Sequence, residues 1–250
     1  MLFKLPRIII VIGTSCSGKS SFIESIQKYK KNYYQVLDDV KPLYKIFSAD
    51  KLLNSNKYDE FKEYLFANNL NQYYSCNKNY SIKDGDGYKI INPKLWNIVL
   101  DIINDEILIN KNYIIEFSRG DDKIYNKFYK ISKREIYLNS LKILLKNKLS
   151  NNNDILIINI KSHLNTRIKR NYIRYNNNGH FVSEQTMNTI YKNDCFNCDF
   201  YDRENGAFNI NNKKIPVYRF YNKNQKSRNA MNIFFIEHLK KALEYFNQIN

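Results

Sequence analysis

The sequence predicts an α/β fold in three layers: a mainly parallel sheet of five strands with helices on both faces. Two observations predict it. Short apolar runs rich in Ile and Val recur along the chain with helical stretches between them, the pattern of strands joined by crossover helices. The first run, Ile8-Ile9-Ile10-Val11-Ile12, leads directly into Gly13-Thr14-Ser15-Cys16-Ser17-Gly18-Lys19-Ser20, and a helix-like stretch from Ser21 to Lys30 follows. Strand, glycine-bounded loop and helix in that order is the context in which this loop pattern functions.

The elements follow in order. The first strand is Arg7 to Ile12, and a second is expected from Leu43 to Ser48, ending at Asp50. Pro93 to Asn110 reads as a helix with Pro at its first turn, because Leu95, Trp96, Val99, Leu100, Ile103 and Ile107 recur at helical spacing. The third strand, Tyr113-Ile114-Ile115, runs into Glu116-Phe117-Ser118-Arg119-Gly120. A helix from Arg134 to Leu149 precedes the fourth strand, Ile155 to Ile160. Ser183 is placed to cap a short helix bearing Met187, Ile190 and Tyr191. The last strand is Ile215 to Phe220, and Asn229 to Gln248 forms a helix with Met231, Phe234, Phe235, Leu239, Leu243 and Phe246 on one face. Those apolar stripes are core and need no other explanation. One domain is expected over 1–250, with 51–93 an insertion over the core and Asn-rich loop tips at 151–153 and 176–178.

The loop carries the chemistry. Gly-x-x-x-x-Gly-Lys-Ser wraps phosphates in backbone N–H groups and adds the favourable dipole of a helix N-terminus. The nucleotide-binding residues are therefore Gly13, Thr14, Ser15, Cys16, Ser17, Gly18, Lys19, Ser20 and Ser21. Lys19 is the residue that reaches the β/γ-phosphates, and the Ser20 hydroxyl sits on Mg²⁺. In open parallel sheets ligands bind beyond the carboxyl ends of the strands. Asp50, Glu116 and Arg119 are expected at such ends. Glu116 is the carboxylate for Mg²⁺ or its water, with Ser20 the other metal contact. Asp50 would orient or deprotonate an acceptor hydroxyl, and Arg119 would bind an acceptor phosphate. Arg167, Arg170 and Arg174 fall along one helical face after the fourth strand, and their planar forks suit bidentate phosphate contacts. Asn222, just past the last strand, is placed for a base or backbone contact. His180 is a substrate contact or a turn residue.

Composition narrows the classes. No apolar run approaches the roughly 20 residues needed to span a bilayer, so no membrane role and a cytoplasmic setting are expected. The formal charge is +16, from 40 basic and 24 acidic residues. It suits a nucleic-acid or acidic partner, but the lysines are scattered through an Asn-, Ile- and Tyr-rich sequence of the kind codon bias produces. Cys195-x-x-Cys198 offers two zinc ligands where a tetrahedral site wants four. Cys16 lies inside the phosphate loop.

Together the loop, the acid after strand two, Glu116 and the arginine run resemble the P-loop kinase group, which includes nucleoside, nucleotide, polynucleotide and zeta-toxin-like sugar kinases. More narrowly, Ile115-Glu116-Phe117-Ser118-Arg119-Gly120, Asp84-Gly85-Asp86-Gly87-Tyr88, Pro93-x-Leu95-Trp96 and Gly179-His180-Phe181-Val182-Ser183-Glu184 are similar to stretches of a set of prokaryotic P-loop proteins. The resemblance implies a three-layer P-loop NTPase fold, an arginine-bearing lid over 161–182 and ATP- and Mg²⁺-dependent phosphoryl transfer. Glu116 stands where that group usually has aspartate. The alternative is a nucleotide-binding switch or slow NTPase acting through a partner. Guanine selectivity is disfavoured, because Tyr221-Asn222-Lys223-Asn224-Gln225 lacks the aspartate of an [NT]-K-x-D signature.

Overall fold

Five β-branched residues, Ile8–Ile12 (β1), are each at most 1 % exposed. Such a run has no polar face to give to water, so it belongs in the middle of a sheet covered on both sides. The computed structural model describes residues 4–39, 81–84, 87–90, 94–146, 154–177, 181–210, 212–223 and 227–249. In order these form β1, α1 (Lys19–Tyr29), β2 (Gln35–Asp38), β3 (Ser81–Asp84), β4 (Gly87–Ile90), α2 (Lys94–Glu106), β5 (Tyr113–Phe117) and α3 (Lys123–Tyr129). Then come α4 (Ile136–Leu144), β6 (Ile155–Lys161), α5 (Leu164–Asn176), α6 (Glu184–Thr189), β7 (Asp199–Phe200), β8 (Asn205–Ile210), β9 (Lys213–Tyr221) and α7 (Arg228–Ile249).

The sheet order is β2-β5-β1-β6-β9-β8-β7, with β3 and β4 a separate antiparallel hairpin. The first five strands run parallel: Ile10 lies opposite Ile115 on one side and Ile157 on the other. β8 and β7 extend the sheet antiparallel from β9. One face packs Ile8, Ile10, Ile12, Ile115, Ile157 and Val217 against α2 and α4, through Ile98, Ile102, Tyr137 and Leu141. The other packs Ile9, Val11, Ile158 and Phe220 against Phe22, Ile23 and Ile26 of α1 and Phe235, Leu239 and Phe246 of α7. The three-layer, mainly parallel P-loop NTPase architecture is therefore as the sequence predicts, and β1 carries the phosphate loop out of its centre.

Several features differ from expectation. The edge strand beside β5 is Gln35–Asp38, in which only Leu37 is buried, so its apolar signal is weak. The strand expected at 43–48, Asp50 and most of the 51–93 segment lie outside the described residues, the β3–β4 hairpin apart. Among the described residues the sheet has seven strands, because β8 and then β7 add beyond β9; the β8 sequence, Asn205-Gly-Ala-Phe-Asn-Ile, has low intrinsic strand preference, which the partner strand overrides. The helix expected from Arg134 is the shorter α4, and α3 was not anticipated. Among the described residues no helix is long and apolar enough to cross a membrane.

Candidate active site

The loop after β1 folds as it does because two of its residues lack a Cβ. Gly13 has φ 154° and Gly18 φ 101°, both outside the ordinary range of L side chains. A Cβ on Gly13 would collide with the Ile160 carbonyl of β6, and one on Gly18 with the Asn222 carboxamide. α1 begins at once, with Gly18 at its N-cap and no side-chain capping bond. Its first N–H groups are thereby left for an outside acceptor. Ser17 Oγ is fully buried with no hydrogen-bond partner among the described residues. An uncapped helix start, a wrapped loop and an orphaned hydroxyl suit an anionic phosphate.

Lys19 is 5 % exposed, and its Nζ donates to Gly13 O and Thr14 O, both at 3.3 Å, and to Ser118 Oγ at 2.6 Å. It also lies 3.8 Å from Glu116 Oε1. Ser20 Oγ donates to the same Glu116 oxygen at 3.1 Å. β5 thus delivers a carboxylate to the first turn of α1, where hydroxyl and carboxylate oxygens form the hard donor pair that Mg²⁺ accepts alongside nucleotide phosphates. Burial raises the Glu116 carboxyl above its ordinary value, and Lys19 opposes the rise. Among the described residues no group of three His, Cys, Asp or Glu side chains could hold a metal by itself.

Asp39, the residue after β2, is the carboxylate that reading the sequence missed. It is 5 % exposed, and its Oδ2 accepts from Ser118 N at 3.2 Å and from Arg119 Nη1 at 3.1 Å. Burial raises its pKa, with the Arg119 and Lys19 charges pulling the other way. Its signal was the acidic pair Asp38-Asp39 closing Gln35-Val36-Leu37, too short and polar a run to stand out as a strand. Arg119 is itself buried: Nε donates to Ser140 Oγ at 3.2 Å, and the guanidinium lies 4.5 Å over Trp96 and 5.0 Å over Phe117. It holds Asp39 in an ion pair, where the sequence suggested a ligand for an acceptor phosphate.

The three arginines of α5 have separate surroundings. Arg170 Nη1 donates to Ser17 O at 3.2 Å and Cys16 O at 3.4 Å, tying α5 to the loop. Arg167 is 2 % exposed and donates to the carbonyls of Ser162 and Lys192, so it holds the chain around α5. Arg174 donates to Asn171 Oδ1, which also receives Val182 N and, at 3.8 Å, the Cys16 thiol. Asn222 Nδ2 donates to Ser17 O at 2.8 Å, a contact to the loop backbone. Ser183 caps α6 through Thr186 N, as its position suggested. Cys195 and Cys198 are free thiols, each pushed up to about 12 by burial. His180 lies outside the described residues.

No protein-family model matches the chain, and no curated protein matches it. Among solved structures, a gluconokinase from Sinorhizobium meliloti 1021 is 13 % identical over 98 % of this chain and 94 % of its own, at a TM-score of 0.45. A shikimate kinase from Acinetobacter baumannii, bound to shikimate, is 9 % identical over 96 % of this chain and 94 % of its own, at a TM-score of 0.44. Overlap this loose carries no weight, and the fold assignment stands on the strand order and the phosphate loop.

Proposed function

We propose that the chain is an ATP-dependent phosphotransferase of the P-loop kinase kind, acting on a hydroxyl acceptor with Mg²⁺. The observation that carries the reading is the convergence of Lys19, Ser20, Glu116 and Asp39 at the carboxyl ends of three adjacent parallel strands. A switch needs the loop and the metal contacts. A second buried carboxylate with a raised pKa, beside the loop lysine, is what a transferase needs in addition.

Phosphoryl transfer asks the protein mainly for positioning and charge neutralisation. Lys19 and the loop amides hold the β/γ-phosphates. Mg²⁺, when bound through Ser20, Glu116 and the nucleotide, neutralises the phosphate oxygens. Asp39 orients the acceptor hydroxyl and takes its proton, a role the sequence suggested for Asp50. Arg119 keeps that carboxylate in place. Arg170 is the lid arginine nearest the loop and stabilises charge developing on the transferred group. Lys19→Ala is expected to abolish transfer while the thermal unfolding profile is retained. Full activity in that variant would contradict the assignment of the site.

A further inference from the structure

Single exposed apolar side chains are ordinary on a folded surface. Leu108 and Ile109 are consecutive, 52 % and 80 % exposed, on the turn that leads from α2 into β5. Ile109 is the most exposed large apolar side chain among the described residues. The backbone of the turn is nonetheless tied inward. Arg7 Nη1 donates to Leu108 O at 3.1 Å and to Ile109 O at 3.3 Å, and Leu108 N donates to Tyr113 Oη at 3.1 Å. Tyr33, 40 % exposed, stands on the neighbouring turn between α1 and β2, which Gln35 N joins to Asn112 O at 2.8 Å. The surroundings are basic. In the segments that meet at this end of the sheet (27–34, 104–112 and 144–146), Lys28, Lys31, Lys111 and Lys146 are exposed, against the acids Asp105 and Glu106. Asn104 holds the last of these segments to α2 by donating to the carbonyls of Leu144 and Lys146.

We infer that this edge is a docking surface for a lipid bilayer rich in anionic headgroups, and that the Leu108-Ile109 turn is the part that enters it. Interfacial binding combines apolar groups that reach past the headgroups with cations that meet the lipid charge. The turn supplies the first and the lysines the second. Tyr33 adds a ring and a hydroxyl, the combination that favours the boundary between water and lipid. The inward-tied backbone suits this occupant in particular. A polar backbone group that leaves water for lipid finds no partner there, whereas a protein partner can offer one. Arg7 and Tyr113 satisfy the turn's carbonyls and an amide from inside the molecule, so apolar side chains can leave water without stranding those groups. A neutral bilayer would leave the lysines unmatched. The surface lies at the entry ends of β1, β2 and β5, and the phosphate loop at the exit end of β1. Docking would therefore leave the proposed active site facing away from the lipid, and it does not depend on the phosphotransferase reading. The length of apolar runs, which excludes spanning, says nothing about docking of this kind.

Co-sedimentation of the full chain with vesicles of phosphatidylcholine, pure or mixed with roughly one third phosphatidylserine, tests the surface. Binding is expected to the mixed vesicles at about 0.1 M salt, and to weaken as added salt screens the lysines. Leu108→Ser/Ile109→Ser should weaken it at least about tenfold. Lys31→Gln and Lys111→Gln should each weaken it about fivefold. All four side chains are exposed, so the thermal unfolding profile is expected to be retained in each variant. Ile233→Ser, at a 54 % exposed position near the start of α7, should leave binding unchanged. Ile109→Trp reports entry directly. Its emission should move to the blue on the mixed vesicles, while the unsubstituted chain, whose one tryptophan is Trp96, shows no such shift. No binding to the mixed vesicles, equal binding to the two kinds, full binding by the Ser pair, or no blue shift in bound Ile109→Trp would each overturn the inference. A dimer that forms without vesicles and that the Ser pair dissociates would also overturn it, and would assign the turn to a second copy of the chain.

Discussion

Two carboxylates stand at the ends of neighbouring strands, Glu116 against Lys19 and Asp39 against Arg119, and their surroundings divide the work between them. Glu116 lies against the Ser20 hydroxyl and Lys19 Nζ, where its charge is matched to the lysine cation and, in the proposed reaction, would face the metal. Asp39 is held by Arg119 and the Ser118 amide, with burial raising its pKa above the usual carboxylate value of about 4. A base must be ionised to accept a proton, so the acid limb of the kcat profile should lie above that value. Asp39→Asn is expected to lower kcat by about 10²–10⁴ with the KM for ATP little changed, and to remove that limb. The pH–rate profiles of the two proteins check both statements; equal losses in kcat and ATP affinity would assign Asp39 a structural role. Asp39 was not legible in the sequence because its position depends on the ion pair to Arg119, 80 residues away. Lys19, Ser20 and Glu116 were legible because the loop motif and a strand end place them locally.

At the scale of elements, the site depends on α1 being pinned between the sheet and α7. Phe22 is fully buried, with the rings of Phe220 and Phe235 each 5.5 Å away. Phe22→Ala should destabilise the fold by about 3–5 kcal/mol, read by denaturant unfolding. α7 is joined to β9 by a polar contact as well: Tyr218 Oη and His238 Nδ1 are 2.7 Å apart, and His238 stacks on Phe220 at 4.3 Å. Burial lowers the His238 pKa below its ordinary 6.5, so the folded state prefers the neutral ring. Its contribution to stability is complete above pH 6.5 and is lost as pH falls from there through the lower folded value. Melting temperatures compared at pH 7.5 and 5.5 should show a drop that His238→Gln reduces. The parallel strands and long helices were readable because their apolar residues repeat at a fixed period. β2 and the β7–β8 extension were not, because short, polar, Gly- and Asn-containing segments become strands only through the neighbour they pair with.

Over the whole molecule, the parallel sheet brings every proposed catalytic group to one edge. β2, β5, β1 and β6 end side by side there, supplying Asp39, Glu116, the phosphate loop and α5. The net charge of +16 is uninformative as a total, since scattered lysines account for most of it. It gains meaning only where a cation has a defined place, as Lys19 and Arg170 do against the loop carbonyls. The central claim, phosphoryl transfer, is tested most directly with γ-labelled ATP and Mg²⁺, offering pooled hydroxyl acceptors that include nucleosides, small polyols and 5′-hydroxyl oligonucleotides. Label is expected in an acceptor pool with the unsubstituted protein and in none with Lys19→Ala. Label released only as inorganic phosphate from every pool, at a rate no acceptor changes, would contradict it.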